Sequence, residues 1–319
     1  MDLSIIIINW NSAAFLRKCL YSVYANIKAI DVEVIVVDNA SFDSAADIVK
    51  TEFPAARFIQ SPANLGFSRA NNLGAREAQG RNLLFLNPDT EVIRDALIGM
   101  VSFLDATPDA AIVGSKLLNT DLSLQTSCVQ AFPSILNQAL DAEYLRRAFP
   151  RLCLWGTKAL LNDGKPAEVE VISGACLMIK SEVFEAVGRF STNYFMYAED
   201  ADLCFKAKQA GWKNYYLSNA SVVHHGGRSS DKKPESNFAS VMMRESVMEF
   251  MRIRRGSLHA LAYQFSTVVI AVLRLLLLLV AFPFKLGRDK SESLRPAFTK
   301  WFKVLRWGLR MEDWSKQLV

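Results

Sequence analysis

Residues 3–11 read Leu3-Ser4-Ile5-Ile6-Ile7-Ile8-Asn9-Trp10-Asn11. A β-branched run with one small polar interruption predicts a strand covered on both faces, as in a parallel sheet. Phe15, Leu16, Cys19, Leu20 and Val23 then recur at helical spacing over 13–27. Val32-Glu33-Val34-Ile35-Val36-Val37 is a second strand ending at Asp38-Asn39. A helix near 43–52, a strand over 57–59, a helix over 70–79 and a strand over 82–86 follow. This alternation predicts an α/β fold: a Rossmann-like, mostly parallel, doubly wound sheet flanked by helices. Further along, 111–114 reads as a strand and 121–165 as loops and short helices. Residues 169–179 read as strand, tight turn, strand. Ser181 is placed as the N-cap of a helix over 182–187, and 220–223 reads as a strand.

The chain has 319 residues, 51% of them hydrophobic, enough for a large α/β domain and an extension. Its net charge of +5 is uneven. From residue 251 onward, 13 Lys/Arg face 4 Asp/Glu, leaving −4 for residues 1–250. A basic tail on a mildly acidic body suggests an anionic surface as partner. The five cysteines are scattered without C-x-x-C spacing, which argues for a reducing compartment and against structural zinc. No secretory leader is expected, because the first residues run straight into a strand.

Ligands of such sheets gather at the carboxyl ends of the strands. Those ends carry Asn9–Asn11, Asp38–Ser41 and 87–89, where turn formation is the competing explanation. Asp89 follows a buried strand and a Pro-stiffened turn, a placement that suits a hard divalent cation; capping a helix near Val92 is the alternative. Asp38 and Asn39 can read the imide edge of a pyrimidine, or cap the next helix. Asn64-Leu65-Gly66-Phe67-Ser68-Arg69 joins a glycine turn to a helix start, where backbone N–H groups and Arg69 can face an anion. Neither Gly-x-Gly-x-x-Gly nor Gly-Lys-Ser/Thr is present, so nicotinamide and Walker-type chemistry are excluded. Tyr197-Ala198-Glu199-Asp200-Ala201-Asp202 crowds three carboxylates at the start of an apolar, helix-like segment. Mutual repulsion makes such a cluster costly. It suits a metal, a cation or a polar substrate, or a solvated helix start. His224-His225 follows a strand, so the two imidazoles point to opposite faces and one can complete a metal site begun by Asp89.

Taken in order, Asp-Asn-Ala-Ser, Asn-Leu-Gly-Phe…Ala-Asn-Asn, Leu-Asn-Pro-Asp, Ser-Gly-Ala, Glu-Asp-x-Asp-Leu and His-x-x-Gly-x-Ser resemble the inverting family-two glycosyltransferases, in particular their rhamnosyltransferase-like bacterial branch. The resemblance covers about residues 3–230. It implies a GT-A fold, a nucleotide-diphosphate sugar donor and Mg²⁺ or Mn²⁺. It makes Asp38 a base contact, Asp89 the metal-binding end of an Asp-x-Asp-type motif, Asp200 the general base and His224 the motif histidine. Asn87 stands where many relatives carry Asp. On the donor side it points to Asn9, Asn11, Asn39, Asn64, Gly66, Phe67, Arg69, Asn72 and Asn87. Glu199 stands beside the base, and Asp202, Gly174 and Trp212 are acceptor candidates; Glu199 and Asp202 have loop anchoring as their other reading.

The expected domains are 1–250, catalytic, and 251–319, a basic hydrophobic tail that docks on membrane. Residues 258–284 are apolar for the length of a bilayer span, but Arg274 interrupts them and both flanks are basic. An interfacial or re-entrant helix is favoured over a span and over a core helix. Residues 298–307 are amphipathic, basic and Trp-rich, suited to the headgroup plane of acidic lipid rather than to nucleic acid. The expected activity moves rhamnose or a similar hexose from a dTDP- or UDP-sugar to a hydroxyl of a lipid-linked or cell-surface polysaccharide acceptor. The expected location is the cytoplasmic face of the bacterial inner membrane, peripheral or monotopic. A polyprenyl-phosphate sugar synthase is the rival within the class, and a non-catalytic membrane-bound scaffold the rival outside it. A nucleotidyltransferase would carry a Gly-rich basic loop after the first strand, where Asn9-Trp10-Asn11-Ser12 stands.

Overall fold

A computed structural model describes residues 1–27, 29–140, 145, 148–149, 151–161, 164–226, 238–281 and 294–312. They fall into two compact units, Met1–Phe132, Ala142–Phe195 and Glu199–Ser229 in the first, Pro133–Asp141, Met196–Ala198 and Ser230–Val319 in the second.

The first unit is built on a nine-stranded sheet. Its parallel half comprises β1 (Leu3–Asn9), β2 (Val32–Asp38), β3 (Arg57–Gln60) and β4 (Asn82–Leu86). The order is β3-β2-β1-β4. Ile5, Ile6 and Ile7 are fully buried, as an uninterrupted apolar strand requires when helices cover both faces. The helices α1 (Ala13–Ala25), α2 (Ala45–Glu52) and α3 (Gly66–Arg76) connect these strands. In α1, Leu16, Cys19, Leu20 and Val23 are buried, the stripe that the sequence predicts. Helix α3 starts four residues earlier than its apolar pattern suggests, because Gly66 itself opens it.

Strands β5 (Thr90–Val92), β6 (Ala110–Leu118), β10 (Cys176–Lys180) and β11 (Lys213–His224) complete the main path, and α4 (Ala96–Ala106) lies between β5 and β6. Strand β10 enters antiparallel between β4 and β6, and β11 runs parallel to β6. The short β8 (Ala167–Val169) pairs antiparallel with β11. Residues 169–179 are therefore not one hairpin: β9 (Val171–Ile172) pairs with β7 (Val129–Gln130) in a separate two-stranded sheet, while β10 joins the main one. The predicted strand at 220–223 is the end of the much longer β11, whose register shifts between Leu217 and Ser221. Among its described residues the segment 121–165 holds short elements: 3₁₀ turns at Thr126–Cys128 and Thr157–Leu161, β7, and α5 (Ile135–Ala139). Ser181 is the first residue of α6 (Ser181–Ala186) rather than its cap; Lys180 holds that position and no side chain caps it.

Helix α7 (Glu199–Gln209) has Glu199, Asp200 and Asp202 in its first turn and Lys206 and Lys208 in its last. Both ends thus complement the helix dipole.

The second unit contains α5, α8 (Phe238–Arg255), α9 (Ser257–Ala281) and α10 (Leu294–Gly308). Helix α8, expected with the catalytic domain, groups here with the tail helices. Val241, Val247, Met251, Ala260, Tyr263 and Trp307 form its core. Trp307 Nε1 donates to Glu245 Oε2 at 2.6 Å, so this tryptophan faces inward. Gly308 lets α10 approach α9 closely: a Cβ there would lie 2.4 Å from Val268 Cγ2. Gln264 Nε2 donates to the Gly308 carbonyl at the same crossing. Residues Ser257–Val280 are long and apolar enough to cross a bilayer, with mean hydropathy 2.1 and 28% of the best window buried. Leu258, Phe265, Leu277 and Val280 point outward.

Candidate active site

The β1, β2 and β4 ends and the last residues of β11 lie on one edge of the first unit's sheet. Asp38 closes β2 and is buried. Its Oδ1 accepts from Asn9 Nδ2 at 2.9 Å, and its Oδ2 accepts from the Ser41 N–H at 2.9 Å and from Gln60 Nε2 at 2.8 Å. Burial would raise this carboxyl, but the donors from Asn9, Ser41 and Gln60 outweigh it and hold it below the usual aspartate value. Three of roughly four acceptor positions of the carboxylate are filled by the fold. Asp38 does not cap α2, whose N-cap position is Ser44.

The neighbouring amides are likewise engaged. Asn11, in a left-handed conformation (φ 50°), accepts from the Phe42 N–H through Oδ1. Asn39 Nδ2 donates to Asn64 Oδ1 and to the Gly66 carbonyl, and its Oδ1 accepts from the Leu65 N–H. Gly66 has φ 73°, and a Cβ there would stand 2.4 Å from the Phe195 carbonyl oxygen; only glycine fits. The Phe67 N–H donates to that same oxygen at 2.7 Å, and the Gly66 N–H to Asn64 Oδ1. The amides of 65–67, expected to face an anion, are therefore satisfied internally. Asn72 bonds the Phe190 main chain with both ends of its amide, 2.8 Å to the carbonyl and 3.1 Å from the N–H. It fixes that loop and, 7% exposed, has little surface to offer a donor. Arg69 remains at the surface, 3.3 Å from the Thr192 carbonyl.

At the β4 end the pattern reverses. Thr90 Oγ1 donates to the Asn87 carbonyl at 2.7 Å, and the His225 N–H to the Asp89 carbonyl at 2.9 Å, which fixes the turn through its main chain. Asp89 begins no helix; the next residues are β5, and α4 starts after Asp95. The register pairs His224 with Thr90, which brings the imidazole to Asp89. His224 Nε2 lies 3.4 Å from Asp89 Oδ1 and 3.5 Å from Asn87 Nδ2. His225 points away and bonds Glu91 Oε1 at 2.6 Å. Gln125 grips His224 twice, from Nε2 to its carbonyl at 2.6 Å and with Oε1 3.0 Å from Nδ1. Oε1 is an acceptor, so Nδ1 carries a proton, and in the neutral imidazole Nε2 is the lone-pair nitrogen on the side of Asp89. A carboxylate and a neutral imidazole so placed would suit a divalent cation such as Mn²⁺ or Mg²⁺. Among the described residues no three His, Cys, Asp or Glu side chains gather for a metal. Gly227 and Ser229 of the His-x-x-Gly-x-Ser motif lie outside the described residues.

A contact chain links this end to Asp200. The Asn87 N–H donates to the Ala175 carbonyl at 3.0 Å, and the adjacent Gly174 N–H donates to Asp200 Oδ2 at 2.9 Å. A Cβ on Gly174 would touch both Asp200 Cβ and Phe67 Cζ at 3.5 Å, so Phe67 flanks the same spot. Asp200 Oδ1 accepts from the Ala201 N–H at 2.7 Å. Burial raises the Asp200 carboxyl above its usual value, and the two N–H groups offset this only in part. Glu199 is 6% exposed, with Oε2 unpartnered among the described groups. Burial first, and the Asp200 charge second, push its carboxyl well above the glutamate range. Tyr197 and Ala198 are left-handed at φ 70° and 62°, a strained lead into this turn.

Two acceptor candidates fall elsewhere. Asp202 is fully buried and accepts from Ser191 Oγ at 2.6 Å and Tyr194 OH at 3.1 Å. It anchors the loop before α7 and has no face for a sugar. Trp212 precedes Lys213, which pairs with Ala110 at the amino end of β6, and Lys180 Nζ lies 5.6 Å from its ring centre. It is on the sheet edge opposite the site. Conversely, Gln125, Ser41 and Gln60 hold site residues and were not singled out. Gln125 sits where the sequence has weak periodicity, and nothing local marks it.

The glycosyl transferase family 2 model matches residues 4–188, and the chain belongs to that family. It is 29% identical to the N-acetylglucosaminyl-diphospho-decaprenol L-rhamnosyltransferase of Mycobacterium tuberculosis over 222 residues, 66% of this chain and 71% of that one. It is 25% identical to rhamnosyltransferase WbbL of Escherichia coli K12 over 170 residues, 50% and 61% of the two chains. Among solved structures, the mannosyltransferase PcManGT from Pyrobaculum calidifontis, in complex with GDP-Man and Mn²⁺, superposes with TM-score 0.58 at 18% identity, covering 99% of this chain and 85% of that one. The fold is GT-A, and the chain is a glycosyltransferase with rhamnosyltransferase relatives.

Proposed function

We propose that this protein transfers a hexose, rhamnose or a close analogue, from a dTDP- or UDP-sugar to a hydroxyl of a lipid-linked saccharide or growing surface polysaccharide, with inversion at the anomeric carbon. The observation that carries this reading is the Asp200 carboxylate. It is held by the Gly174 and Ala201 N–H groups in a partly desolvated position, joined through Gly174-Ala175 and Asn87 to the Asp89–His224 pair.

Asp200 takes the proton from the acceptor hydroxyl as that oxygen attacks the anomeric carbon and the bond to the diphosphate breaks. Burial raises its pKa, which makes it a stronger base than an ordinary aspartate. Glu199, whose carboxyl burial and the Asp200 charge push upward, lies beside it in the same helical turn. Asp89 and His224 hold a divalent cation, Mn²⁺ or Mg²⁺, which when bound neutralises charge on the leaving diphosphate. Gln125 keeps His224 in the tautomer that this needs. Arg69 reaches the diphosphate from the α3 surface. The Asp38 turn frames the base, offering one remaining acceptor position to its imide N–H. The relatives' named acceptor, a diphosphodecaprenol-linked N-acetylglucosamine, supports the lipid-linked class. The outward apolar face of α9 supports a place on the membrane surface, where such an acceptor resides.

The test is a panel of nucleotide sugars offered with Mn²⁺ or Mg²⁺ and scored for slow hydrolysis and thermal stabilisation. A dTDP- or UDP-sugar that does both supports the reading; no response to any of them defeats it.

A further inference from the structure

Met196–Ala198 belong to the second unit, although the chain on either side, Phe195 and Glu199, belongs to the first. These three residues lead directly into Glu199 and Asp200. Tyr197 and Ala198 are both left-handed, at φ 70° and 62°. Two consecutive non-glycine residues in that region are costly, and they persist where their surroundings impose them.

Ser246 supplies such a hold. It lies within α8 and is fully buried. A helical serine commonly returns its hydroxyl to a carbonyl one turn back. Ser246 Oγ instead donates to the Met196 carbonyl at 2.8 Å, 50 positions earlier in the chain. The preceding carbonyl, that of Phe195, takes the Phe67 N–H at 2.7 Å, and the Asp200 carboxylate takes the Gly174 N–H at 2.9 Å. The turn into α7 is therefore clamped before and after its two left-handed residues. The clamp on Met196 is itself braced. Glu245, adjacent to Ser246, accepts from Trp307 Nε1 of α10, and Val247 and Met251 sit in the core that α8 forms with α9 and α10.

We propose that Ser246 is a positioning residue for the Asp200 base. By holding the Met196 carbonyl it fixes the left-handed turn that aims the first carboxylates of α7, which makes the helical second unit part of the catalytic apparatus. The proposal rests on the reading of Asp200 as the base. Ser246 acts through the main chain of 196–200. The described partners of the Asp200 carboxylate are themselves main-chain N–H groups, so a small displacement of the turn moves the base away from them.

The experiment uses the full chain in detergent micelles with Mn²⁺. It reads steady-state hydrolysis of dTDP-rhamnose and of UDP-glucose, the affinity for dTDP and UDP by calorimetry, and amide hydrogen exchange by mass spectrometry. Ser246→Ala is expected to lower kcat about tenfold while KM and nucleotide affinity stay within about twofold. It is also expected to speed exchange about tenfold in peptides over 197–203 and to leave 87–92 unchanged. Ser246→Cys, close in size but a weak donor, is expected to lower kcat about threefold and keeps the test open if the alanine variant does not fold. Val247→Ala, one residue further and in the helical core, is expected to lower the melting temperature at least as much with kcat and exchange of 197–203 unchanged. Equal losses of kcat in Ser246→Ala and Val247→Ala overturn the proposal, and so do parental kcat and exchange in both serine variants. Faster exchange of 197–203 in Ser246→Ala, from a parent that hydrolyses neither sugar nucleotide, upholds the clamp and breaks the transferase reading. Hydrolysis by the parent that neither serine variant alters does the reverse.

Discussion

The two halves of the sheet's carboxyl edge use the same residue types to opposite ends. At the β1–β2 end, Asn9, Asp38, Asn39 and Asn64 bond one another and the loops around them. At the β4–β11 end, Asp89 Oδ1 and Asn87 Nδ2 lie 3.4 and 3.5 Å from His224 Nε2 without closing a short bond, and among the described residues the partners of the Asp200 carboxylate are main-chain N–H groups. The first cluster spends its polarity on a rigid rim. The second retains polarity for something from outside. Counting internal hydrogen bonds, rather than polar residues, separates scaffold from chemistry.

This contrast breaks most visibly at Asp89. Asp89→Ala is expected to lower transfer about 10³-fold and to abolish the divalent-metal requirement, with little change in melting temperature. An equally large loss of stability would place Asp89 with the scaffold cluster. Asp38→Ala is the mirror experiment. It removes the acceptor of the buried Asn9 amide, the half-buried Ser41 N–H and the exposed Gln60 amide, and is expected to cost about 2 kcal/mol of stability by urea unfolding. Because the folded-state pKa of Asp38 is depressed, its stabilisation is present above the ordinary aspartate pKa and is lost as pH falls through the depressed value. A variant as stable as the parent would show that the rim does not depend on it.

A smaller effect sharpens the comparison. In the proposed site Asp89 and His224 would supply two protein ligands, so that metal and nucleotide diphosphate would complete each other's binding. Mn²⁺ alone is expected to stabilise the protein little in thermal shift, while Mn²⁺ with UDP or dTDP exceeds the sum of the separate shifts by about 1–3 kcal/mol of coupling. Simple additivity would contradict a shared site. The smallest effect belongs to Glu199. Its folded-state pKa is raised, so the folded chain binds the extra proton, and stability falls as pH climbs from the ordinary glutamate pKa toward the raised value. Glu199→Gln removes that loss and is expected to gain about 1 kcal/mol at pH 7 relative to pH 5. A pH-independent difference would mean that Glu199 is charged in the fold.

The parallel half of the fold was legible because strands covered on both faces cannot hide their apolar runs, as 3–8 and 32–37 show. β5 was not, since three residues with a glutamate in the middle carry no pattern and exist only through pairing with β11. The splitting of 169–179 between two sheets, and the grouping of 133–141 with the tail helices, are tertiary choices with no local signal. At the site, motif order identified the residues near Asp89 and Asp200. It also singled out Asn72, whose amide the fold uses to bond the Phe190 main chain. Asp202 looks equivalent to Asp200 in sequence. A helix turns 200° between them, and Asp200 keeps partial exposure while Asp202 is fully buried. Gln125 acts across 99 positions of sequence, which no spacing rule reaches.

The central claim is that proton removal and diphosphate binding belong to separate carboxylates. The most direct measurement compares Asp200→Asn with Asp89→Ala, reading single-turnover transfer and nucleotide-sugar affinity with Mn²⁺ in parallel. The account predicts that Asp200→Asn lowers transfer about 10³-fold while donor affinity stays within about twofold, and that Asp89→Ala loses both. Loss of donor affinity in Asp200→Asn equal to its loss of transfer would contradict it.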